Sequence, residues 1–222
     1  MIRFCEYPAT PAELTFLIPF YRSHPIQAEL YNLNANGLSM LHPDVLSLLY
    51  HFAFYAKGHI LELGAYVGGA TAAIAWGIQA SKTKRKLVSV EVGGRLEHPR
   101  SGSEDIIRDL RKNIDRWNIH EHVNLVIGNS RDRKIVDTVH KAFGGEGVSA
   151  LLIDSDGDVL ADMTRYRDLL LPGAYLFIDD YFSPGAPIKV QPTHAGIEAL
   201  ERDGAIDSFG VFGWGTWVGR LR

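Results

Sequence analysis

Four carboxylates in this chain follow one another at the ends of short apolar runs. Glu91 closes Val88-Ser89-Val90-Glu91. Asp154 follows Leu152-Ile153, and Asp179-Asp180 follow Phe177-Ile178. If the last two runs are neighbouring strands, Asp154, Asp179 and Asp180 converge at one end of a sheet. Three carboxylates in one crevice repel, so a proton or a cation must sit among them. Ligands that offer only oxygen select a hard ion, and Mg²⁺ keeps positions open for water or substrate. The alternative is that these aspartates are caps and turn residues, as Asp158 is expected to be for the helix after it. The run from Asp154 to Asp158 fails as a calcium loop, because its sixth and twelfth positions would be Val159 and Arg165.

A second stretch could bind a ligand. An apolar run at 59–63 is followed by Gly64, Gly68 and Gly69, then by an alanine-rich stretch to Ala80. Strand, glycine loop and helix form the ligand-binding turn of doubly wound α/β folds. The spacing is not G-x-G-x-x-G, and no Gly-Lys-Ser/Thr occurs, so dinucleotide and triphosphate fingerprints are absent. Glu62 beside the loop would oppose a pyrophosphate and suits a cationic ligand.

The elements that must position these groups alternate from Gly58 onward. Strands are expected at 59–63, 87–92, 123–127, 150–153, 174–178, 209–212 and 216–221. Helices are expected at 103–117, 132–143, 159–171 and 193–202, besides the one after the glycine loop. Apolar residues recur at helical spacing in the first three of these, for example Ile106, Leu110, Ile114 and Trp117. The central strands are apolar throughout, as burial on both faces of a parallel sheet requires. Residues 1–57 form a helical cap, with helices at 11–21 and 25–31, a loop at 33–41, and a firmer helix from His42 that ends on Lys57-Gly58. The chain of 222 residues, 46% hydrophobic, is expected to be a single domain. A net charge of −3 shows no basic field for nucleic acid. The one basic run, 82–86, is expected as the solvated end of the helix before it. Cys5 is the single cysteine, so no internal disulfide is available. No signal peptide or membrane span is evident, and a cytoplasmic protein is expected. The nine histidines make no zinc pattern.

Leu61-Glu62-Leu63-Gly64-Ala65-Tyr66 resembles motif I of class I methyltransferases, the catechol O-methyltransferase family in particular. The Asp179-Asp180-Tyr181 form is similar to sugar and macrolide O-methyltransferases of natural-product pathways; the catechol family has Asp-Asn. The resemblance implies a Rossmann-like fold with seven strands in the order 3-2-1-4-5-7-6, the seventh antiparallel, and helices on both faces. It implies S-adenosylmethionine and Mg²⁺ as cofactors and transfer of a methyl group to a hydroxyl of a small molecule. The implied cofactor contacts are Glu62, Gly64, Ala65, Tyr66, Gly68, Thr71, Glu91 and Asp154, with Glu91 accepting both ribose hydroxyls. Gly128, Asn129 and Ser130 would pass the adenine, although Gly, Asn and Ser equally suit a plain turn. Asp154, Asp179 and Asp180 would hold the metal, and Asp154 would be catalytic.

Gly157 departs from both families. Catechol-type enzymes carry a lysine there, and the natural-product enzymes a histidine; either can take the acceptor's proton, and glycine cannot. His194 is the candidate base elsewhere in the chain. The remaining outcomes are acidification by the metal alone, a metal-independent enzyme, and a protein that binds adenosylmethionine without turning it over. The expected partner is a small-molecule hydroxyl acceptor, with no nucleic acid and no membrane; a homodimer is open to the chain.

Overall fold

The computed structural model describes residues 10–182 and 187–222. Three helices come first: α1 (Pro11–Arg22), α2 (Gln27–Ala35) and α3 (Pro43–Tyr55). Thr10 and Glu13 close a reciprocal capping box on α1. His42 caps α3 through its ring, with Pro43 in the first turn. The alternating core follows as β1 (His59–Leu63), α4 (Gly69–Ser81), β2 (Leu87–Glu91), α5 (Ile106–Arg116), β3 (Val123–Ile127), α6 (Arg133–Phe143), β4 (Val148–Ile153), α7 (Val159–Tyr166), β5 (Leu170–Ile178), α8 (Pro187–Arg202), β6 (Ile206–Phe212) and β7 (Thr216–Leu221). The sheet order is β3-β2-β1-β4-β5-β7-β6. β7 runs antiparallel to both β5 and β6, and the other pairings are parallel. This is the Rossmann-like order that the resemblance implies.

Alternation along the strands builds two cores. Ile60, Leu152 and Phe177 face α3 and α4 and join Leu46, Phe52 and Ile74. Leu61, Leu63, Leu151, Ile153 and Ile178 face the other way and meet Phe143, Met163, Tyr166 and Ile197 from α6, α7 and α8. The cap is therefore a packing layer, joined to the sheet by α3 against α4.

Several boundaries differ from expectation, each for a local reason. α3 stops at Tyr55, and Lys57-Gly58 does not cap it; the Gly58 N–H donates to Ser149 Oγ at 3.1 Å, which starts the chain into β1. α5 begins at Ile106 because Asp105 caps it by accepting from the Arg108 N–H. Ser103 pairs with Leu96 in an isolated bridge instead. α7 gives way to a short 3-10 turn, Arg167–Leu169, and β5 starts four residues early. Pro172 disfavours helix at Leu171, and the extra residues are absorbed where the register shifts between Val148 and Ala150. In the basic run, Arg85 donates to the carbonyls of Ala53 and Phe54, so it serves the end of α3 and not α4. α8 starts six residues early, because Pro187 stands in the first turn where its missing N–H costs nothing. Among the described residues no helix is long and apolar enough to cross a membrane.

Candidate active site

The turn after β1 is held by backbone geometry. Gly64 lies at φ +93, and a Cβ there would collide with the carbonyl oxygen of Asp154. The N–H groups of Gly64 and Ala65 both donate to the Val90 carbonyl, at 2.9 and 3.2 Å. Tyr66 takes φ +50, an uncommon conformation for a bulky residue. Its N–H donates to Glu91 Oε2 at 2.6 Å, and the Gly93 N–H donates to Glu91 Oε1 at 2.8 Å. Glu91 thus ties the loop after β1 to the loop after β2. Each of its oxygens keeps further acceptor capacity for a ligand hydroxyl.

Gly64, Tyr66, Glu91, Gly128, Asn129, Ser130 and Asp154 line one pocket of about 330 Å³, a size within the usual range for small-molecule sites, about 300–1,000 Å³. Both readings of the turn after β3 have geometry behind them. Asn129 Oδ1 accepts from the Arg131 N–H at 2.9 Å, as in a plain turn, yet the turn borders the pocket. Ser130 directs its hydroxyl to Asp162, 3.1 Å away.

Other expected contacts lie elsewhere. Glu62 is fully buried on the α4 face of β1, where Thr71 Oγ1 and Ser89 Oγ donate to its Oε2 at 2.7 and 2.5 Å. Burial pushes its carboxyl up to about 7 even with those two bonds. Thr71 is spent on Glu62. Ala65 is buried, and Gly68 is the N-cap residue of α4. None of these four side chains or positions borders the pocket.

At the ends of β4 and β5, carboxylate oxygens of Asp154, Asp179 and Asp180 lie within 4.8 Å of one another. The strands make this juxtaposition directly: Ile153 pairs with Ile178, the Asp154 N–H donates to Leu63, and the Asp179 N–H donates to Ile153. Burial, then the charge of Asp179, drives the Asp154 carboxyl well above the ordinary range. Asp179 is raised too, by burial, although the Thr216 hydroxyl donates to it at 2.6 Å. Asp180 is held at φ +58. Donors of oxygen only, crowded and desolvated, fit a hard divalent cation. Asp156 and Asp158 are not part of this cluster; both pair with Arg131.

Two residues that bear on the site carried little signal in the sequence. Lys189, in the first turn of α8, places Nζ 3.1 Å from Asp180 Oδ2 and lines the pocket. It stood between two prolines in a stretch expected to be loop. Arg131 also lines the pocket, with nothing but its charge to mark it. Gly157 lies at φ +90, and a Cβ on it would stand 2.8 Å from the Lys189 carbonyl oxygen. A lysine or histidine at this position is therefore strained by backbone and by space.

His194 lies in a separate cleft of about 590 Å³, next to the segment that carries Asp179 and Asp180. Its ring stacks on Tyr181 with centroids 3.8 Å apart. Phe182, Val211 and Trp214 border the same cleft, all exposed. Trp217, by contrast, is packed inside the sheet.

A family model described as rhamnosyl O-methyltransferase/CmcI matches residues 55–199, more than half of the chain. No curated protein matches. Among solved structures, the chain is similar to the O-methyltransferase TomG from Streptomyces achromogenes, with 17% identity, a TM-score of 0.65, and coverage of 93% of this chain and 95% of that one. It is similar to the O-methyltransferase from Bacillus cereus, with 18% identity, a TM-score of 0.63, and coverage of 96% and 100%. It is also similar to the calicheamicin methyltransferase CalS11, with 15% identity, a TM-score of 0.61, and coverage of 96% and 86%. At these identities the structural likenesses carry the fold alone, and the family match carries the rest. The chain belongs to the rhamnosyl O-methyltransferase/CmcI family and is an S-adenosylmethionine-dependent O-methyltransferase.

Proposed function

We propose that this enzyme methylates a hydroxyl of a small natural product, a sugar, polyketide or catechol-like ring, with Mg²⁺ at Asp154, Asp179 and Asp180. The observation that carries the reading is the convergence of those three carboxylates beside the pocket of Gly64 and Glu91. Adenosylmethionine supplies an electrophilic methyl on a sulfonium, and a hard ion supplies acidification of the acceptor hydroxyl. The chain's residues do the remainder. Glu91 accepts ribose hydroxyls while its backbone partners keep it oriented. The loop at Gly64 brings the main chain close to the ligand. The aromatic cleft of Tyr181, Phe182 and Trp214 receives the acceptor's flat face, and such surfaces suit rings of sugars and polyketides. His194, oriented by its stacking on Tyr181, takes the acceptor's proton. The Bacillus structure is described in complex with SAH, and TomG as in complex with SAM and involved in tomaymycin synthesis, which supports this class of cofactor and product.

The test is a mass-spectrometric screen of catechols, hydroxylated polyketides and glycosides for a methyl gain, run with chelator and with added Mg²⁺. The expected result is one acceptor methylated, turnover lost in chelator, and turnover restored by Mg²⁺. Full activity in chelator would move the enzyme to the metal-independent reading.

A further inference from the structure

Lys189, which has no role in the reading above, is placed by the fold against Asp180, whose carboxylate lies within 4.8 Å of those of Asp154 and Asp179. Its Nζ is 3.1 Å from Asp180 Oδ2, in an ion pair whose carboxylate side chain is 15% exposed and whose lysine side chain is 38% exposed. Asp154, Asp180 and Asp179 all act on its charge. The first turn of α8 comes this close because residue 157 has no side chain: the Lys189 carbonyl and Pro192 Cγ stand 2.8 and 3.2 Å from where a Cβ would be.

The arithmetic of charge is incomplete with lysine alone. One ammonium faces three carboxylates, so the cluster stays net negative if all are ionised. A divalent ion would serve it better, yet an ammonium and a divalent ion drawn to the same oxygens repel each other. Asp180 cannot keep its lysine at ion-pair distance and give the same oxygen to a metal without crowding two cations.

We infer that Lys189 is a resident cation of the carboxylate cluster, and that a divalent ion enters by displacing it, so that Lys189 sets the metal affinity of the site. The inference rests on the reading of Asp154, Asp179 and Asp180 as metal ligands. It deepens that reading, because it makes the cluster a two-cation exchange site and not a preformed metal cage. Lys189 also borders the pocket with Gly64 and Tyr66, so its departure changes the wall of the cofactor site.

The experiment is a calorimetric titration of the full chain with Mn²⁺, using the wild type, Lys189→Met and Lys189→Arg. Lys189→Met keeps the length of the side chain and removes the charge; it should bind Mn²⁺ at least tenfold more tightly than the wild type. Lys189→Arg keeps the charge and should stay within about threefold of the wild type. Equal or weaker binding by Lys189→Met, with wild-type binding intact, would overturn the displacement and leave the metal cluster standing. Failure of all three proteins to bind millimolar Mn²⁺ would overturn both. Tight binding by Lys189→Met beside no detectable wild-type binding would support the inference in its strongest form. If Lys189→Met does not fold, Lys189→Gln carries the same comparison. A measurement on the wild type needs no variant: reductive methylation of Lys189, followed by mass spectrometry of its peptide, should speed up several-fold when Mn²⁺ is added. An unchanged rate at saturating Mn²⁺ would count against displacement.

Discussion

Glu62, fully buried on β1, and Asp154, partly buried just past the end of the neighbouring β4, sit in opposite kinds of surroundings. Glu62 lies within β1, paired in register with Leu152, and points into the α4 face. Two hydroxyls donate to it, and no positive side chain is needed. Asp154 lies one residue past β4, where the strand ends and the crevice opens. The charges that act on it are those of Asp179, Lys189 and Asp180, with Glu62 itself the weakest of the four. Both hydroxyls meet one oxygen, Oε2, while Oε1 is buried without a hydrogen-bond partner, which disfavours the ionised form and leaves Glu62 best held as a neutral acid between strand and helix. A cluster of like charges is satisfied only by a proton or a cation, so Asp154 leaves the folded protein with an unmet demand. The step from mid-strand to strand end separates an acid enclosed by hydroxyls from one that faces like charges.

The largest expected effect follows from that contrast. Asp154→Asn should lower kcat by about 10²–10³-fold, the usual scale for a lost electrostatic group at a reacting centre. Its thermal stability should hold or rise, because a repelled buried charge has gone. Kinetics with the acceptor found by screening, beside thermal denaturation, measures both. If Asp154→Asn instead kept its activity and lost stability, Asp154 would be an acid of the Glu62 kind and the comparison would break.

A middle-sized effect concerns Glu62. Its folded pKa of about 7 lies above the ordinary value of 4.5. The folded chain therefore holds an extra proton between about pH 4.5 and 7, and stability falls as pH rises through that window. At about 1.4 kcal/mol per unit of pKa, this group's share is about 3 kcal/mol at most. Glu62→Gln should flatten the fall, being near-neutral at pH 5 and stabilising at pH 8, with turnover changed by less than about threefold. Urea unfolding of both proteins at the two pH values reads it. A variant as pH-dependent as the wild type would show that the hydroxyl cage is not where the proton resides.

The smallest effect sharpens the comparison with an intermediate case. Glu91 also ends a strand, but its partners are the backbone N–H groups of Tyr66 and Gly93. Glu91→Gln leaves one donor without an acceptor and removes a charged acceptor from the ribose, at about 1.5–3 kcal/mol. Affinity for adenosylmethionine in calorimetry should drop about tenfold to a hundredfold while kcat at saturation changes little. Unchanged affinity would place Glu91 with Glu62 as a purely structural acid.

Much of this was legible in one dimension because periodicity and turn chemistry are local. The apolar strands, the glycine turn at Gly64 and the carboxylates at strand ends are all written in residues a few positions apart. Parallel strands carry their ends to one side of the sheet, so Asp154 and Asp179 could be expected together once their runs were taken as neighbours. Glu62 and Thr71 show the limit. Both belong to the glycine-loop motif, yet which face of β1 a side chain takes depends on what packs there, and α4 captured them for the core. Lys189 shows it more sharply. Nothing local marks a lysine between Pro187 and Pro192 as part of a site. Its place depends on α8 starting at Pro187, on the bare backbone of Gly157, and on the charge of three aspartates drawn from two other strand ends. The sequence by itself determined which groups could do chemistry and at which end of the sheet; the tertiary structure decided which carboxylate meets hydroxyls and which meets a cation, because only packing brings residues distant in the chain close enough for desolvation and charge to act.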